Sequence, residues 1–148
     1  MSAESKAVVR RLFEEFWNNR ERALADEIFA ASYIHHDPNT PEFGKGPEGQ
    51  KKIFDLYTAA FPDSRFTIEQ MIAAEQDTVV TRWTVRGTHK GELLGNAPTG
   101  KKITVTGTHI CRVTGGKIVE SWSNWDALGM FQQLGIVKEF AKAKRASR

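Results

Sequence analysis

The feature that most constrains this chain is a change of hydrophobic period at Pro62. Before it, apolar residues recur at helical spacing; after it, they alternate with polar ones over four long segments. On the N-terminal side, 4–18 reads as a helix with Val8, Val9, Leu12, Phe13, Phe16 and Trp17 on one stripe and Arg10, Arg11, Glu14 and Glu15 opposite. A short helix is expected over 21–30. The Pro-rich segment YIHHDPNTPEFGKGPEG follows as an ordered loop with a short strand at Tyr33–His36. A third helix covers 47–60, with Pro47 suited to its first turn.

On the C-terminal side, Arg65–Glu75, Thr78–His89, Lys102–Thr114 and Lys117–Trp125 are β-branched and alternating. Gly115-Gly116 joins the last two as a hairpin, and an amphipathic helix follows the final strand. Strands this long, with Gly87 and Gly107 inside them, are expected to bend or bulge. Helices first and a meander afterwards predict an α+β fold: a cone-shaped roll, its strongly curved antiparallel sheet wrapped around three N-terminal helices, with a deep pocket. One domain is expected over 1–148, its core at about 4–137 and a basic tail at 138–148.

Composition narrows the partners. With 40% apolar and 26% charged residues, the chain reads as an ordinary globular protein. No apolar run approaches the roughly 20 residues that cross a bilayer, so no membrane association is expected and a cytoplasmic location is the default. The net charge of +3 sits largely in the tail, and no nucleic-acid-binding motif is present. Cys111 is the single cysteine and sits among apolar residues, so neither a disulfide nor a thiolate nucleophile is expected. Nucleophile-elbow and nucleotide-binding patterns are absent as well.

Alternation sorts the pocket candidates. In the third and fourth alternating elements, one face carries Ile103, Val105, Gly107, His109, Cys111 and Val113, and the matching face of the last strand carries Ile118, Glu120, Trp122 and Asn124. Val79, Thr81, Trp83, Val85 and Gly87 form the corresponding face one strand earlier. Trp83, His109, Trp122 and Asn124 together make an interior too polar for a plain core and suited to a pocket. Asp126, at the strand–helix junction, is either an acid held among indoles or the N-cap of the next helix. Of His35 and His36, adjacent in an extended segment, only one faces inward. Asp37 fits a turn before Pro38, and the His-His-Asp run does not converge on one ion, so no metal is expected. The threonine-rich outer face suits either solvent or a second copy of the chain.

The order of elements, the loop segment YIHHDP, the hairpin TGTHICRVTGGKIVESW and the ending NWDALGMFQQLG resemble the SnoaL-like polyketide cyclases of the nuclear-transport-factor-2-like superfamily. The resemblance implies a cofactor-free acid–base enzyme closing rings by intramolecular aldol reaction. On it, Asp126 in W-x-x-x-D is the general acid/base, with His109 and either His35 or His36 as pocket histidines. Trp17, Trp83 and Trp122 offer stacking surface to a hydrophobic or polycyclic ligand, and Asn124 orients acid or substrate. Relatives commonly pair through the sheet, so a homodimer is expected. The same parts suit a ketosteroid-isomerase-like or epoxide-hydrolase-like enzyme, or a non-catalytic domain that binds a hydrophobic ligand.

Overall fold

The computed structural model describes residues 2–138. The basic tail expected at 138–148 therefore lies outside the described residues except for Lys138. Helix α1 (Ser2–Arg11) passes directly into a π-helical segment, Leu12–Asn18. The wider turn brings Leu12, Phe13, Phe16 and Trp17 to the same side, and all four are buried. The second helix is shorter than its apolar spacing suggested: a 3₁₀ turn (Arg22–Leu24) and one α turn, α2 (Ala25–Ile28). Strand β1 then begins early, at Phe29, and runs to His36. Helix α3 (Gly46–Ala60) carries Pro47 in its first turn, where no backbone N–H is needed.

Four long strands follow: β2 (Arg65–Ala74), β3 (Thr78–Thr88), β4 (Lys102–Thr114) and β5 (Lys117–Trp125). Gly115 and Gly116, both with positive φ, make the β4–β5 turn. The sheet order is β1-β5-β4-β3-β2. Three pairings are antiparallel, but β1 runs parallel to β5, so the sheet is mixed rather than wholly antiparallel. The sheet is curved and open-edged, its concave side packed on the helices. Helix α4 (Ala127–Gln133) closes the end where β5 finishes.

The inward faces of β3 and β4 follow the alternation read from the sequence: Val79, Thr81 and Trp83, and Ile103, Val105, His109, Cys111 and Val113, are buried. Strand β5 does not. Its pairing with β4 slips between Val113↔Ile118 and Arg112↔Glu120, leaving Val119 as an extra residue in a bulge. One extra residue reverses the phase of every side chain beyond it. Ser121, Ser123 and Trp125 therefore face the interior, while Trp122 and Asn124 are exposed on the convex side. That corrects the inward placement expected for Trp122 and Asn124.

Candidate functional site

The concave side of the sheet, π-helical segment and α3 enclose a cavity of about 110 Å³. Much of its wall is aromatic: Phe66 packs edge-on against Trp83 at 5.0 Å and against Phe13 at 5.5 Å, with Trp17 tilted on it at 5.5 Å. Gly107 matters here, because a Cβ would stand 2.3 Å from Trp83 Cζ2 and 2.7 Å from Trp125 Cβ. Only glycine lets the Trp83 ring lie across β4.

The polar groups gather at one end of the cavity, where β1 leaves the sheet. Tyr33, His35 and Asp37 are spaced two apart in extended chain and all line the cavity. The Asp37 side chain is only 6% exposed. Its Oδ1 accepts from the Asn39 backbone N–H at 2.8 Å, and its Oδ2 from Thr40 Oγ1 at 2.7 Å. The Trp125 indole N–H reaches both oxygens, at 3.2 and 2.9 Å. Burial would raise the Asp37 carboxyl, but the donors, His35 among them, outweigh it and hold it below its usual range. Asp37 is thus a fixed anion, with His35 Nε2 3.7 Å from its Oδ2.

The other nitrogen of His35 meets hydroxyls. Nδ1 lies 2.8 Å from Ser121 Oγ and 3.1 Å from Tyr33 Oη, which are themselves 2.5 Å apart. Tyr33 in turn donates to Gln50 Oε1 at 3.3 Å. Burial drives the Tyr33 phenol well above its ordinary value, so it stays protonated. This chain accommodates both states of the imidazole. With the ring hydrogen on Nδ1, His35 donates to Ser121, which donates on to Tyr33, and the proton gained or lost is the one on Nε2 beside Asp37.

His109 faces His35 across the cavity, ring centroids 6.1 Å apart, with the Phe13 ring edge-on at 5.7 Å. Burial, reinforced by His35 and opposed by Asp37, takes its pKa down to about 3. His109 is therefore a neutral imidazole. Its Nδ1 is 3.3 Å from Cys111 Sγ, against 3.9 Å for Nε2. Burial raises the Cys111 thiol, which stays protonated and is able to donate to Nδ1. In the tautomer that accepts this bond, the ring hydrogen of His109 sits on Nε2 and is a donor for a ligand oxygen.

Of the residues expected at the site, Trp17, Trp83, His35 and His109 line the cavity, and Asp126, His36, Trp122 and Asn124 do not. His36 points to the convex side, stacked on Trp122 at 5.4 Å, with Nε2 2.8 Å from Glu120 Oε2. Asp126 is exposed and N-caps α4, accepting from the Gly129 N–H at 2.9 Å. The reason is again the β5 bulge, which sends the even-numbered residues beyond it outward. Asp37, Trp125, Ser121 and Thr40, which the alternation had not assigned to the pocket, join the cluster around His35. Asp37 could have been found from parity, since it shares a strand face with His35.

The SnoaL-like polyketide cyclase family model matches residues 7–134. This chain belongs to the SnoaL-like polyketide cyclase family. Aklanonic acid methyl ester cyclase AcmA of Streptomyces galilaeus is 31% identical over 142 residues, covering 90% of this chain and 92% of the relative. Aklanonic acid methyl ester cyclase DnrD of Streptomyces peucetius is 25% identical over 132 residues, covering 86% and 88% respectively. Among solved structures, IdmH of Streptomyces antibioticus superposes with a TM-score of 0.75 at 30% identity, covering 88% of this SnoaL-like chain and 98% of IdmH. These matches agree with the family read from the sequence motifs. They favour the cyclase reading over the isomerase, epoxide hydrolase and binding-domain alternatives. Among the described residues of this family member, no helix is long and apolar enough to cross a membrane.

Proposed function

We propose that the protein closes a ring in a hydrophobic, ester-bearing polycyclic ketone by intramolecular aldol reaction, with His35 and Asp37 as its acid–base centre and His109 as oxyanion donor. The observation that carries this reading is the buried Asp37–His35–Ser121–Tyr33 chain facing a neutral histidine across an aromatic cavity. His35 takes a proton at Nε2 from the carbon between two carbonyls while Nδ1–H stays on Ser121, and the Asp37 anion stabilises the imidazolium formed. His109 Nε2–H donates to the enolate oxygen as charge develops there in a cavity walled in large part by aromatic rings. The enolate carbon bonds to a ketone carbon of the same molecule, whose oxygen becomes an alkoxide and recovers the proton from His35. Every atom is retained, so the product is an isomer of the substrate. The Trp17 and Trp83 rings supply surface for a flat ring system, and holding both reacting ends together removes much of the entropic barrier.

Aklanonic acid methyl ester, the compound in the names of two relatives, is the first probe. The protein should convert it to a product of unchanged mass and different retention time, and His35→Ala should lower kcat/KM by about 10²–10⁴-fold. Full turnover by His35→Ala would remove His35 from the mechanism.

The same reading includes a homodimer formed through the convex face. His36, Trp122, Ile110, Val80 and Ile72 lie opposite one another from strand to strand, giving one largely apolar row across all five strands.

A further inference from the structure

Trp125 occupies two environments at once. Its ring lines the cavity and stands edge-on to Tyr57 at 5.9 Å, and its indole N–H is directed at Asp37. Asn39 and Thr40, the other donors to Asp37 besides His35, lie two and three residues along the same loop. They would travel with Asp37 if that loop moved. Trp125 is different, because it comes from β5, the strand that also brings Ser121 to the opposite nitrogen of His35. It is also the donor that spans both carboxylate oxygens, so it fixes the tilt of the carboxylate plane as well as its position.

Further contacts make the attachment a closed ring. Asn39 Nδ2 donates to the Trp125 backbone carbonyl at 3.2 Å, Thr40 Oγ1 lies 2.9 Å from Tyr57 Oη, and Tyr57 packs on the Trp125 ring. Loop, α3 and β5 thus meet at one carboxylate. From this geometry we infer that Trp125 is a positioning residue: its indole N–H holds the Asp37 carboxylate against His35, registering the 37–40 loop to the sheet. The inference rests on the His35–Asp37 reading of the site. It adds a role that hydrophobic lining does not require, since any large apolar side chain could line the wall.

Two substitutions separate the N–H from the ring. Trp125→Phe keeps an aromatic ring beside Tyr57 and removes the donor. Trp125→benzothienylalanine keeps the bicyclic shape and replaces only the N–H by sulfur. The primary readout is the titration of the Asp37 carboxyl carbon by NMR, which needs no substrate. Loss of one donor to the anion should move its midpoint up by about one pH unit in both variants. With the aklanonic acid methyl ester probe, kcat should fall on the order of tenfold with KM nearly unchanged. An unchanged Asp37 midpoint in the benzothienylalanine variant overturns the positioning role, whatever happens to turnover. If His35→Ala and Asp37→Asn instead retain full turnover, the acid–base reading fails, while the titration still reports whether Trp125 holds the carboxylate.

Discussion

His109 shows how one buried side chain links pocket chemistry to stability. Its ring is almost wholly enclosed, 6% exposed, between Phe13, His35 and Cys111, and its pKa falls from 6.5 to about 3. Between those values the unfolded chain binds a proton that the folded chain refuses, so stability decreases as pH falls through that window. The slope approaches about 1.4 kcal/mol per pH unit at its steepest. Urea unfolding between pH 7 and pH 4 should show this loss, and His109→Gln should flatten it; an equally steep loss in the variant would assign it elsewhere. The Asp37 carboxyl, also lowered, adds its own loss only at more acid pH, below its ordinary 3.8. His109 was legible in the sequence because β4 alternates without interruption from Ile103 to Val113. Asp37 was not, because Asp before Pro carries ordinary turn chemistry. Its donors come from a loop and from a strand some 88 residues away.

At the scale of elements, the decisive irregularity is Val119. The strands, the hairpin at Gly115-Gly116 and α3 follow from period and turn residues, and they lie close to where the pattern put them. A bulge leaves no comparable mark, because one extra residue keeps the composition of a strand and alters only its phase. That phase decided the site: Ser121 and Trp125 took the inward places that alternation from Ile118 had given to Trp122 and Asn124. Parallel pairing of β1 with β5 was similarly hidden, since it joins segments far apart in sequence. Asp126 then follows as the cap of a short helix. Asp126→Ala should cost about 1 kcal/mol in thermal or chemical denaturation and leave ring closure intact. A stable variant without turnover would return Asp126 to the chemistry.

For the whole molecule, the convex face is the surface with an unexplained composition. Trp122 is 37% and Ile72 46% exposed, at positions tied by the cross-strand row through Ile110 and Val80. Five strands at about 4.8 Å spacing and about ten residues long present roughly 800 Å². That is close to the roughly 800 Å² per partner of a standard interface. Because a two-fold axis through such a face brings the apolar row onto its own copy, the proposed homodimer requires no second complementary surface. Trp122→Glu should leave the protomer folded and shift the mass seen by light scattering from dimer to monomer. A wild-type protein that is monomeric at tens of micromolar would contradict this assembly. The aromatic cavity lies on the opposite face of the same sheet, so pairing and ring closure should be separable in that variant.

The acid–base centre we propose lies at the end of β1, at Asp37 and His35, rather than at the β5–α4 junction. The measurement that tests it most directly is kcat/KM for ring closure by Asp37→Asn, an exchange that keeps the shape of the side chain and removes its charge. The expected result is a fall of at least about 10²-fold with the fold intact by circular dichroism. Turnover within a factor of two of the unsubstituted protein would contradict it.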